Sequence, residues 1–137
     1  GKNFVQTMLR LMKQKDELGV VADQVGSPTS THSLVALLLT ILCQGSKPGI
    51  YHWTDGASIS WYEFAQAIQQ EAIEQGLLRR KIPIKPLTTR EYSATAVRPS
   101  YSVLDRSETI SDIGMQATDW QQELRLVIKQ IAKRTEG

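Results

Sequence analysis

This sequence has few of the groups that let a protein carry out chemistry unaided. A single cysteine, Cys43, excludes an internal disulfide and points to a reducing compartment. It lies in the apolar stretch 34–43, where a thiol is expected to pack as a small hydrophobe. There are two histidines. His52 has no second histidine, cysteine or carboxylate at ligand spacing, which argues against zinc, and His32, near a helix start, reads as a capping histidine rather than a ligand or proton acceptor. The nine glycines never fall at G-x-G-x-x-G or G-x-x-G-x-x-G spacing, so no turn is shaped to cradle a dinucleotide pyrophosphate. No serine sits in a nucleophile elbow. The apolar run 34–43 is too short to span a bilayer, and no basic-then-apolar leader opens the chain. Nor is charge of either sign in excess: 16 basic and 14 acidic side chains are interspersed, for a net charge of +2. That leaves no basic face for nucleic acid or a membrane surface. The cluster Arg79-Arg80-Lys81 is expected to be a solvated connection. The expectation is a cytoplasmic protein.

What is present suits one folded unit. The chain has 137 residues, 41% hydrophobic and 22% charged, enough for one core spanning residues 1–137. Phe4, Val5, Met8, Leu9, Leu11 and Met12 recur at close to helical spacing, and Asn3 stands where a helix cap would. A helix that begins so near the start suggests that more chain belongs upstream. Val20-Val21-Ala22 is a short β-prone run. Gly26 and Pro28 then break regular structure, leaving backbone groups for turn bonds or a ligand. A helix from Thr31 to Cys43 is apolar on most faces and is expected to be largely buried.

Residues 49–53 read as a second strand, followed by a turn at Thr54-Asp55-Gly56. Ser60 and Glu63 have capping-box spacing and open a helix whose stripe Trp61, Phe64, Ala65, Ile68 and Ala72 is expected to be core, with Gly76 as the stop. Residues 82–87, with two prolines, suit an edge strand. Thr88 and Glu91 repeat the capping-box spacing and predict a single helical turn. Residues 104–113 predict a short helix ended by Gly114. Residues 119–133 predict the last helix, with Trp120, Leu124, Val127, Ile128 and Ile131 on one face.

One segment looks equipped for a ligand. Pro99 forces Arg98 out of the helical region, so its guanidinium leaves an extended backbone. Two hydroxyls, Ser100 and Ser102, follow on the same segment. A planar guanidinium can grip two oxygens of a phosphate, although a surface arginine on an irregular connection is the plainer alternative.

Several spaced motifs bear on that choice. They include Asn3-Phe4-Val5, Asp23-Gln24-x-Gly26-x-Pro28-Thr29, Gly49-Ile50-Tyr51-His52, Ser60-Trp61-Tyr62-Glu63-Phe64-Ala65, Arg98-Pro99-x-x-Ser102-x-Leu104-Asp105 and Trp120. In this order they resemble the C-terminal half of the dTDP-4-dehydrorhamnose reductases, members of the extended short-chain dehydrogenase/reductase superfamily. The match runs from residue 2 to about residue 130. It departs from the family at Ser93-Ala94-Thr95-Ala96, where a proline is usual, so that loop is expected to be more mobile.

The resemblance implies an α/β fold (α+β as an isolated piece): the substrate-binding part of a Rossmann-type enzyme, with about four main helices and a few short strands. It implies a dTDP-sugar as partner, bound by Asn3, Gln24, Thr29, Arg98 and Ser102, with Arg98 toward the diphosphate. No cofactor is expected in this segment. NADPH or NADH would be held by an N-terminal NAD(P)-binding half that the chain lacks. The family's proton donor is a tyrosine four residues before a lysine, but Tyr51, Tyr62, Tyr92 and Tyr101 are followed at that spacing by Asp55, Gln66, Ala96 and Asp105. The chain alone is therefore expected to be inactive. Its unpartnered apolar helix faces would favour association, such as a homodimer. Two alternatives stay open: a related enzyme acting on another nucleotide sugar, and a non-catalytic binding subunit of the same fold.

Overall fold

In the computed structural model, residues 3–45, 48–93, 96–116 and 118–136 are described. Among these residues, six helices and four short strands follow one another in the order α1 (Phe4–Gln14), β1 (Leu18–Val21), β2 (Val25–Gly26), α2 (Thr31–Gln44), β3 (Ile59–Ser60), α3 (Trp61–Glu74), β4 (Ile84–Leu87), α4 (Thr89–Tyr92), α5 (Ser107–Ile113) and α6 (Trp120–Glu136). This is the mixed helix-and-strand piece the sequence predicts. Four helices, α1, α2, α3 and α6, have eleven or more residues. The strands form two separate two-stranded sheets, β1 parallel to β4 and β2 antiparallel to β3. In the first, Leu18 faces Ile84 and Val21 faces Leu87. With only two strands every edge is open, which is where Pro86 is tolerated.

The main core lies between α1, α3, α6 and the β1–β4 ribbon. Met8, Leu9 and Met12 of α1 meet Phe64, Ala65, Ile68 and Ala72 of α3, and α6 closes the stack with Leu124 and Ile128. Phe64 joins the layers, stacked on Phe4 at 5.6 Å and edge-on to Trp120 at 6.0 Å. Gln69 is buried in this core because its amide stands in for a neighbouring strand. Its Nε2 donates to the Ile82 carbonyl at 3.1 Å, and its Oε1 accepts from the Ile82 N–H at 2.6 Å. A second, smaller cluster joins Leu37 of α2, Trp53 and Ile113 of α5.

Six expectations are corrected here. Helix α2 is not largely buried: Ser33 and Leu37 face inward, while Leu34, Val35, Leu38, Leu39 and Leu42 are exposed on a contiguous face. The helix carries more apolar surface than the described chain can cover. Cys43 is exposed on the same helix instead of packing as a core hydrophobe. Residues 49–53 form no strand, because no described segment lies alongside to complete a ladder. Trp61 is 37% exposed and stands at the margin of the core. The helix predicted from residue 104 starts only at Ser107, where Asp105 Oδ1 accepts the Ser107 N–H at 2.9 Å. His32 does not cap α2, since Ser30 does, and its side chain is 75% exposed with Nδ1 3.9 Å from Glu123. In the 93–96 loop, Ala94 and Thr95 lie outside the described residues.

Candidate functional site

Two helices begin at the same place. Asn3 caps α1 by accepting the Gln6 N–H at 2.9 Å, and Ser60 caps α3 through a full capping box with Glu63. Each cap is followed at once by an aromatic residue, Phe4 and Trp61, whose ring centroids lie 4.8 Å apart. These two helix starts, the β1 strand and the chain ends leading from the parallel ribbon enclose a cleft of about 430 Å³. Its lining includes Asn3, Phe4, Gln24, Trp61, Tyr92 and Arg98, with Gly19, Val20 and Val21 of β1 behind them. The volume is within the range of about 300–1,000 Å³ usual for small-molecule sites. The cleft runs along β1 and continues past its C-terminal end to Gln24, the end of a parallel strand at which ligands of α/β units gather.

The electrostatics favour an anion. Helix N-termini carry partial positive charge, and two of them converge here. Arg98 is exposed and lines the cleft, on a backbone kept extended by Pro99. The nearby carboxylates are engaged elsewhere. Glu63 is held below the usual carboxylate range, first by the Ser60 N–H and then by the Ser60 hydroxyl. Asp23 is lowered by the Thr89 N–H and hydroxyl, and Glu91 by the Thr88 N–H and hydroxyl.

A larger hollow of about 570 Å³ lies at the far end of α1, between Met12, Lys13, Gly76, Leu78, Arg79 and Arg80. Here α1 and α3 end, and helix C-termini are negative. The cations there answer those ends, and Arg80 is paired with Asp16 at 2.5 Å. That is a solvated, charge-balanced surface and a poor anion site.

Of the five residues picked from sequence, three come together in the cleft: Asn3, Gln24 and Arg98. Gln24 is almost fully buried, and its Nε2 donates to Thr89 Oγ1 at 3.0 Å. Thr29 and Ser102 do not line the cleft. Thr29 is exposed just ahead of the α2 cap. Ser102 spends both its N–H, at 2.9 Å, and its hydroxyl, at 3.2 Å, on the Val25 carbonyl. With Val25 N–H donating to Ser100 at 2.8 Å, those bonds fasten the Arg98 segment against β2 as a parallel bridge.

Sequence reasoning missed Trp61 and Tyr92 as wall residues. A signal existed for Trp61: an aromatic directly after a helix cap sits at the mouth of the first turn, beside whatever the helix start faces. No such signal marks Tyr92, which reaches the cleft through contacts between segments more than sixty residues apart.

The fold and site define an α/β module with a cleft between two helix starts, built on an open parallel ribbon. The chain belongs to the family described as the RmlD substrate binding domain, whose model matches residues 1–133. It is 42% identical over 130 residues to a dTDP-4-dehydrorhamnose reductase of Aggregatibacter actinomycetemcomitans, covering 91% of this chain and 44% of that protein. Among solved structures, the dTDP-4-dehydrorhamnose reductase of Clostridium acetobutylicum superposes with a TM-score of 0.83 at 36% identity, over 96% of this chain and 44% of that one. The Bacillus anthracis reductase, solved in complex with NADP, gives 0.78 at 38% identity, over 90% of this chain and 42% of its own. The chain thus spans less than half the length of the relatives it matches.

Proposed function

We propose that this chain is the substrate-holding portion of a dTDP-4-dehydrorhamnose reductase, which reduces dTDP-4-dehydro-L-rhamnose to dTDP-L-rhamnose with NADPH or NADH. The observation that carries the reading is the convergence of Arg98, Asn3 and Gln24 on one cleft between two helix N-termini. Arg98 takes the diphosphate. Asn3 uses its Oδ1 to cap α1, which leaves its amide NH₂ to face the sugar or base. Gln24 offers a second neutral group. Thr29 stands further out, and Ser102 acts by holding the Arg98 segment in place rather than by touching the ligand. The nicotinamide cofactor, the proton-donating tyrosine and its lysine belong to a preceding portion of the polypeptide, because no residue of this chain has the motif for either task. The exposed face of α2 packs against that portion, or against a second copy in a homodimer. The setting is the cytoplasm; among the described residues no helix is long and apolar enough to cross a membrane.

The test is Arg98→Ala in the longer protein. A charge-assisted bond is worth roughly 1.5–3 kcal/mol, so KM for the dTDP-sugar should rise about tenfold or more. Arg98→Lys should recover part of the loss, since an ammonium cannot make the two-pronged contact. Affinity for NADPH should not move. An unchanged KM in Arg98→Ala overturns the assignment. The chain alone should leave NADPH unoxidised in the presence of the keto-sugar.

A further inference from the structure

Helix α4 is four residues long, far too short to persist by itself. Yet it is among the most heavily tied elements of the fold. Thr88 and Glu91 close a capping box around it, with Glu91 Oε2 accepting the Thr88 N–H at 2.7 Å and the Thr88 hydroxyl at 2.8 Å. From the other side of the ribbon, Asp23 accepts the Thr89 N–H at 2.9 Å on both oxygens and the Thr89 hydroxyl at 2.7 Å. That same hydroxyl accepts from Gln24 Nε2, so the bonds run in one direction, from Gln24 through Thr89 to Asp23. The register explains the meeting. Val21 pairs with Leu87 at the end of the ladder, and Asp23 and Thr89 each stand two residues beyond it. The Ala22 N–H donates to the Leu87 carbonyl at 2.8 Å and carries the pairing to that point.

What the clasp holds is the wall of the cleft. Tyr92 is the last residue of α4 and lines the cleft, as Gln24 does. Ser93 closes α4 in a left-handed conformation, φ +49°. We infer that Asp23 and Thr89 are positioning residues for the nucleotide-sugar: by clamping α4 they set Tyr92 and Gln24 in the cleft wall. This rests on the reading of the cleft as a nucleotide-sugar site. Neither residue needs to touch the ligand.

The experiment uses the full-length protein that carries this chain, with dTDP as the calorimetric probe and NADPH as the control ligand. Thr89→Val keeps the shape and the N–H but removes the hydroxyl that links Gln24 to Asp23. It should weaken dTDP about fivefold to tenfold and leave NADPH affinity unchanged, and Thr89→Ser should restore most of the loss. Asp23→Asn, which keeps one acceptor oxygen, should fall between the parent and Thr89→Val. Absence of dTDP binding in the parent protein overturns the cleft assignment itself. If the parent binds and Thr89→Val binds equally well, the clasp is idle and the inference fails. It fails too if Thr89→Val and Asp23→Asn lose dTDP and NADPH together, or if Thr89→Ser is as weak as Thr89→Val, since the bonds would then only support the fold.

Discussion

Asp55 is 2% exposed and serves as a shared acceptor for three donors from two segments. Its Oδ2 takes the Ser30 N–H at 2.6 Å, and its Oδ1 takes the hydroxyls of Ser33 and of Thr118, the latter at 2.8 Å. Beside it Gly56, at φ +81°, lets the Arg106 guanidinium approach to where a Cβ would collide, 2.6 Å from Nη2. Arg106 then caps the Thr54 and Thr118 carbonyls and lies 5.6 Å from the centre of the Trp53 ring. Removing the carboxylate would take this acceptor from the Ser30 N–H and the Thr118 hydroxyl and leave the Ser33 hydroxyl with the Ser30 carbonyl at 3.1 Å. Asp55→Ala is therefore expected to cost about 3 kcal/mol, read as a lowered midpoint in urea unfolding with unchanged slope. A midpoint equal to the parent's would show that water replaces the carboxylate at no cost. In the sequence this aspartate is only the middle of a turn, because nothing local says that three distant donors converge on it.

At the scale of elements, features set by local spacing are legible in the sequence. Both capping boxes, Ser60 with Glu63 and Thr88 with Glu91, are fixed by a spacing of three and stand in the structure as expected. Residues 49–53 show the converse, since β-prone composition supplies a propensity but not a neighbouring strand. β2 and β3, two residues each, are defined only by pairing across more than thirty positions and left no trace in the pattern. Helix α4 is the element most open to a chemical test. Asp23 and Glu91 both titrate below the usual carboxylate range, because Thr89 and Thr88 donate to their charged forms. A depressed folded value means the contribution is fully present above the ordinary range and is lost as pH falls through the lowered value. Amide signals of residues 89–92 should accordingly broaden or shift as pH falls below the ordinary carboxylate range, while those of α1, whose Asn3 cap carries no charge, stay native. Signals from α4 that persist until the whole chain unfolds would contradict this.

At the scale of the molecule, the apolar face of α2 is the feature that hydrophobic patterning reads only in part. The pattern shows that Leu34, Val35, Leu38, Leu39 and Leu42 want cover, but not which polypeptide provides it. In this chain the face is bare, with Leu38 51% and Leu42 76% exposed. Replacing Leu38 and Leu42 together by Gln should raise the monomer fraction of the isolated chain in light scattering. Its stability should shift by no more than about 0.5 kcal/mol per site, as at other exposed positions. In the longer protein the same pair should lower the thermal midpoint by several degrees. Equal, large losses of stability in both forms would mean that the face is already packed within residues 1–137.

The Leu37, Trp53 and Ile113 cluster has a further consequence, one of time rather than energy. It is smaller than the core around Ile68, and the polar ties of Asp55 and Arg106 fasten the segments around it to one another. Units of this kind open by themselves and close again while the larger unit stays shut. In deuterated buffer the amides in the middle of α2 should exchange through that local opening, well ahead of those around Ile68. Exchange of both sets at a single rate would mean that α2 leaves only when everything else does.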